Sequence, residues 1–185
     1  MFENVKADID ALAKWNTTPT WKGKIQLIFD AGAHAVLTYR LGHYAHQMRV
    51  PVIRHILLIL HYFLHVAVHM TSGIDISKEA EIGKGLAIHS FTGVLISRVK
   101  MGESCVLAPS VFIAGRKGGL PEIGNNVFFG IGCKVLGNVK IGDNANIGAN
   151  AVVTKDVPAN HTAVGVYPLK IYPNTNKQPE KLGNV

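Results

Sequence analysis

From residue 76 to residue 153 an aliphatic residue or Phe returns almost every six positions: Ile76, Ile82, Ile88 and Val94, then Met101, Leu107 and Ile113, then Ile123, Phe129, Val135, Ile141, Ile147 and Val153. A period of six matches neither the two-residue repeat of a strand nor the 3.6-residue repeat of a helix. It suits a parallel β-helix, in which each hexad supplies a short strand and a corner, and three hexads close one triangular coil. The aliphatic side chains then stack inward as one continuous core. Gly83, Gly124, Gly130, Gly142 and Gly148 each follow an inward aliphatic directly. Corners need positive φ or locally bonded side chains, which Gly and Asn provide.

Two steps depart from six. Val94 to Met101 is seven, which reads as a local bulge, and Ile113 to Ile123 is ten. The segment "AGRKGGLPE" must therefore leave the coil as a loop. Its cations, Arg116 and Lys117, make it a place to meet an anionic ligand, although a solvated turn has the same composition.

Before residue 72 the apolar spacing is helical. Helices are expected near 3–15, 20–48 and 51–71, with Thr18-Pro19 as a cap and first turn and Pro51 as a break between helices. The stretch "ILLILHYFLHVAVHM", residues 56–70, would reach roughly 22 Å as helix, short of a ~30 Å bilayer core, so a buried or oligomer-packing helix is expected. A membrane-surface contact is the alternative. His61, His65 and His69 share one face of it. With no carboxylate or Cys beside them in the sequence, packing or intersubunit hydrogen bonding is the preferred role over metal binding.

The 185 residues carry 19 Lys and Arg against 12 Asp and Glu, a net charge of +7. No basic run exceeds Arg116-Lys117, so nucleic acid is not the expected partner. Cys105 and Cys133 form no CxxC pattern, which argues against structural zinc and a disulfide framework and fits a reducing compartment. The N-terminus has no basic stub followed by an apolar run. A cytoplasmic protein is expected, with the inner face of the membrane as an additional location.

The segments "GIDISKEAEIGKGLAIHSFTG", "VLGNVKIGDNANIGANAVVTKDVPANHTAVGV" and "GAHAVLTYRLGHYAH" together resemble the serine acetyltransferase branch of the hexapeptide-repeat acyltransferases. The resemblance spans roughly residues 30–172. It implies a left-handed parallel β-helix behind an α-helical N-terminal domain, divided as 1–71 helical assembly domain, 72–172 acyltransferase domain and 173–185 tail. It also implies a homotrimer or a hexamer built as a dimer of trimers, and acetyl-CoA lying between neighbouring β-helices. No metal is implied.

The sequence departs from that family at the acceptor site. Where the family carries Asp then His as its second and third residues of "IHSFTG", this chain has His89 and Ser90; an Arg-His pair before the loop proline is replaced by Gly119 and Leu120; a helical-domain Asp falls near Thr17. Asp75 of "GIDIS" is retained. A zwitterion such as serine needs a cation for its carboxylate and an anion for its ammonium, and burying either unpaired costs several kcal/mol. The sequence reading is therefore acetyl transfer to a sugar hydroxyl, of capsular, exopolysaccharide or O-antigen type. Serine O-acetylation is the alternative, and a non-catalytic trimerisation scaffold a further one. A γ-class carbonic anhydrase would need three His ligands, and the solenoid supplies only His89 and His161.

An alcohol attacks a thioester only when a base takes its proton. His89 is the expected base, Asp75 would orient it, and a backbone N–H at Ala114 or Gly115 would meet the oxyanion. The small residues Gly115, Gly130, Gly148 and Ala149 would let the pantetheine arm of acetyl-CoA approach the backbone. Arg116, Lys117, Lys155 and Lys170 are the candidates for its phosphates.

Overall fold

The computed structural model describes residues 2–15, 30–89, 93–115, 119–165 and 170–173. Among the described residues three helices, α1 Phe2–Trp15, α2 Ala31–Gln47 and α3 Pro51–Ser72, precede fifteen short strands. The strands are β1 Asp75–Ile76, β2 Glu81–Ile82, β3 Ala87–Ile88, β4 Leu95–Ile96, β5 Lys100–Met101, β6 Val106–Leu107, β7 Phe112–Ala114, β8 Glu122–Ile123, β9 Phe128–Phe129, β10 Lys134–Leu136, β11 Lys140–Ile141, β12 Asn146–Ile147, β13 Val152–Val153, β14 His161–Val164 and β15 Lys170–Pro173. Strands three apart in sequence pair in parallel, giving sheet A through β1, β4, β7, β10 and β13, sheet B through β2, β5, β8 and β11, and sheet C through β3, β6, β9, β12 and β14. This is the parallel β-helix that the hexads predict. Strand β15 closes sheet C antiparallel to β14.

Each hexad buries two positions rather than one. Besides the aliphatic, the residue two places earlier also points inward, so Ile74, Ala80, Leu86, Val99, Cys105, Val111, Val127, Cys133, Val139, Ala145 and Ala151 join the core. Both cysteines are thus corner-filling core residues, and burial pushes their thiols up, Cys105 to about 11 and Cys133 to about 12. This second layer also corrects the register at the seven-residue step. Ile76 pairs with Ile96 and Ile96 with Ile113. Val94 is the inward residue two places before, so the side leading to Ile96 is long and the one leaving it is short.

The glycines after the inward aliphatics answer to space, not to φ. A Cβ on Gly83 would lie 2.7 Å from the backbone of Gly102 in the next coil. Positive φ occurs two residues later, at Gly85, Ser104, Asn126, Asn144 and Asn160, all on the corner from sheet B to sheet C. There Asn126 Nδ2 donates to Asn144 Oδ1 at 2.9 Å and Asn144 Nδ2 to Asn160 Oδ1 at 3.1 Å, a ladder running along the solenoid.

Helix α2 caps the open end of that core. Asp30 is its N-cap, accepting from Ala33 N at 2.8 Å; the expected Thr18-Pro19 cap lies outside the described residues. Ala35, Val36 and Tyr39 belong to the same buried cluster as the coils, so the core is continuous across residue 72. Tyr39 donates to Ala80 O at 2.8 Å and accepts from Ile82 N at 3.2 Å. Arg40 is clamped between α1 and the first coil: it pairs with Asp8 at 2.8 Å and donates to Ile82 O and Gly83 O at 2.7 and 2.6 Å. Asp8 in turn accepts from Gly85 N and Leu86 N.

Helix α3 differs. The 15-residue apolar stretch lies inside a 22-residue helix whose only fully buried residues are His61 and Ser72, so the expectation of a buried helix fails within the chain. By length and composition α3 is long and apolar enough to cross a membrane.

Candidate active site

The β-helix sorts the sequence-predicted residues by corner. Ile88, Leu107, Phe129 and Ile147 are in register on sheet C, so the residues that follow them form one column: His89, Ala108, Gly130 and Gly148, then Val164 after Ala163. Below the exposed His89 the next three side chains are small or absent. A Cβ on Gly130 would come within 2.7 Å of Ala149 N, so the smoothness of the strip is built into coil packing. Lys170 opens β15 opposite Val164, at the far end of the same column. Ala149 is exposed beside Gly148.

Ala114, Gly115 and Lys155 lie elsewhere, after Ile113 and Val153 on the corner leaving sheet A. One chain therefore does not gather the predicted donor-binding residues in one groove. The Gly115 N–H is also already engaged, donating to Ser97 Oγ at 3.2 Å. That removes it as a free oxyanion donor in this conformation. Arg116, Lys117, Ser90 and Thr17 lie outside the described residues. Gly119 and Leu120 are half-buried at the loop's return, Gly119 packed against the Asn138 side chain.

The ring facing the Asp75 carboxylate is that of His65, on α3, with Nε2 3.6 Å from Oδ1. The two elements are brought together where α3 ends: Gly93 N donates to Ser72 O at 3.0 Å and Asp75 N to Val94 O at 2.7 Å, so Gly93, Val94, the end of α3 and β1 meet. His65 lies between His61 and His69, with ring centroids at 5.5 and 6.3 Å. His61 is buried, its Nδ1 3.1 Å from Thr38 O, and burial lowers its pKa from the ordinary value. Among the described residues no group of three or more His, Cys, Asp or Glu is arranged to hold a metal.

Sequence reasoning missed an open groove of about 890 Å³ down sheet B. Glu81, Lys100, Glu122 and Lys140 are in register along it, each immediately before an inward aliphatic, over a floor of Gly83, Gly102, Gly124 and Gly142. Lys140 pairs with Glu122 at 3.6 Å. Alternating charges offset one another, so this groove has no built-in preference for an anion. The hexad offset would have revealed it.

Residues 121–155 match the family model described as bacterial transferase hexapeptide (six repeats). The serine acetyltransferase of Synechococcus elongatus is 33% identical over 178 residues, 93% of this chain and 69% of the relative. The chain belongs to the hexapeptide-repeat acyltransferase family. Among solved structures, the Neisseria gonorrhoeae serine acetyltransferase in complex with serine superposes with a TM-score of 0.77 at 31% identity, over 92% of this chain and 68% of that one. A serine acetyltransferase in complex with CoA superposes with a TM-score of 0.74 at 27% identity, over 92% and 68%. As a member of this family the chain is a CoA-dependent acyltransferase. The relatives named here carry no polysaccharide acetyltransferase name.

Proposed function

We propose that the protein transfers the acetyl group of acetyl-CoA to the hydroxyl of serine. The observation that carries the acceptor is the likeness over nearly the whole chain, helices included, to serine acetyltransferases, one of them solved with serine. The donor lies along the His89, Ala108, Gly130, Gly148 column. Four steps of about 4.8 Å, from His89 to Val164, give it about 19 Å, with the thioester at the His89 end and the phosphates toward Lys170. A neighbouring copy would bring its own Ala114, Gly115 and Lys155 corner against this column, reuniting residues that one chain separates. The absent Arg-His pair leaves Arg116 and Lys117, a few residues before Gly119, as the cations available in that loop for the serine carboxylate.

A neutral sugar hydroxyl is the second reading, and it rests on Gly119 and Leu120, which offer no charge to a zwitterion. Free-thiol release from acetyl-CoA, followed with serine and with a panel of sugars, separates the two. Serine is expected to give kcat/KM in the ordinary enzyme range, above ~10⁴ M⁻¹s⁻¹. Turnover with sugars and none with serine would overturn the serine assignment while keeping the acetyltransferase.

A further inference from the structure

The catalytic chemistry needs an imidazole that is oriented, reachable and close to the donor's reacting end. His89 is reachable, but the carboxylate retained beside the site faces another ring. His65 meets the first two directly and the third through the coil on which Asp75 sits. Its Nε2 faces Asp75 Oδ1 at 3.6 Å, and the two side chains are 31% and 41% exposed, sheltered enough to hold an orientation and open enough to meet a substrate. The separation is an ion-pair distance rather than a hydrogen bond, as is common for catalytic pairs before substrate tightens them. Asp75 N donates to Val94 O, and Ser72 O at the end of the same helix accepts from Gly93 N, so the pair stands beside residues that follow His89, the head of the small-residue column, by four and five positions.

We propose that His65, held by Asp75, is the general base of this enzyme, so that the imidazole missing at Ser90 is supplied by helix α3. This inference rests on the acetyltransferase reading above. With Nε2–H directed to the Asp75 carboxylate, Nδ1 keeps a lone pair for the acceptor's proton. The acceptor oxygen bonds to the thioester carbonyl carbon as His65 takes that proton. The tetrahedral intermediate then expels the CoA sulfur, and His65 returns the proton to it, leaving an O-acetyl ester and free thiol. Asp75 stabilises the imidazolium while it exists and is itself a positioning residue. His89 then lines the donor's reacting end without taking the proton.

Thiol release by the full-length protein tests this, with acetyl-CoA binding measured in parallel by calorimetry. His65→Ala and the near-isosteric His65→Gln should each lose about 10²- to 10⁴-fold in kcat while still binding acetyl-CoA. Imidazole added to the buffer should restore part of the His65→Ala activity. Asp75→Asn should lose less, and should add little to the loss in a His65→Ala background, because the two act as a unit. If His65→Gln binds acetyl-CoA and keeps more than about a tenth of wild-type kcat, His65 is not the base. If His89→Ala shows the large loss instead, the base is His89. Wild-type protein that binds acetyl-CoA but acetylates neither serine nor any sugar would overturn the acetyltransferase reading itself, and this assignment with it.

Discussion

Phe129 and Phe63 are the same residue in two parts of one chain, the first 0% exposed inside a coil and the second 67% exposed on α3. The solenoid hides nearly every aliphatic its sequence places on the hexad. Helix α3 does the reverse, turning His61 and Ser72 inward while Val52, Ile56, Ile59, Phe63 and Met70 face outward. Hydrophobic content is therefore a poor guide to what covers a segment. In the solenoid the next coil of the same chain covers it, whereas the outer side of α3 needs an apolar surface from outside the chain, which fits the expected assembly through the helices.

The largest effect expected from breaking this contrast is in the coils. Phe129→Ala should cost about 3–5 kcal/mol in denaturant unfolding, the range for emptying a fully buried aromatic site. A loss under about 1 kcal/mol would mean that the coil is not packed as described.

The cap comes next. Arg40→Ala strands the Asp8 carboxylate in a buried setting with only two backbone N–H donors, and should cost about 3 kcal/mol or more. Asp8→Asn with Arg40→Leu should cost less than the single change, because no lone charge remains buried.

The column makes a kinetic rather than a stability prediction. Ala149→Phe, at an exposed position beside Gly148, should raise KM for acetyl-CoA about tenfold or more with a smaller change in kcat, since the added ring stands in the donor's path; an unchanged KM places the donor elsewhere.

Acid should loosen the helical cap selectively. His61 is held neutral first by burial, with His65 and Lys78 also opposing its protonation and the Thr38 carbonyl favouring it. Its folded pKa lies below the unfolded value near 6.5, so the unfolded state binds the proton more readily and stability falls as pH drops through 6.5 toward the folded pKa. Hydrogen exchange in α2 and α3 should rise below about pH 6.5, and His61→Gln should flatten that dependence.

The smallest stability effect belongs to the outer face of α3. Phe63→Ser should change the unfolding free energy of the isolated chain by no more than about 0.5 kcal/mol, yet shift the assembly seen by light scattering toward smaller species. A monodisperse monomer for the wild-type protein would break the assembly expectation.

What the sequence determined by itself is the solenoid. Its signal is local and repeated, because every coil places its inward side chain at the same offset and an error at one rung does not propagate. The small-residue column was legible only in part: Gly130 and Gly148 stood out after Phe129 and Ile147, but Gly115 and Lys155 were grouped with them, and only the strand pairing puts those two at another corner and Ala108 in the column. Val94 misled because the hexad has two inward positions, and an aliphatic at either looks alike until Ile96 is seen beside Ile113. The tertiary structure decided the partnerships between elements. Asp8 with Arg40 and His65 with Asp75 join segments whose relative placement follows no period, since each depends on how a helix end docks on a coil. Fourteen residues separate Asp75 from His89 and ten separate it from His65, and spacing favoured the former. The turn at Gly73, with φ of 66°, reverses the preference by folding α3 back beside β1.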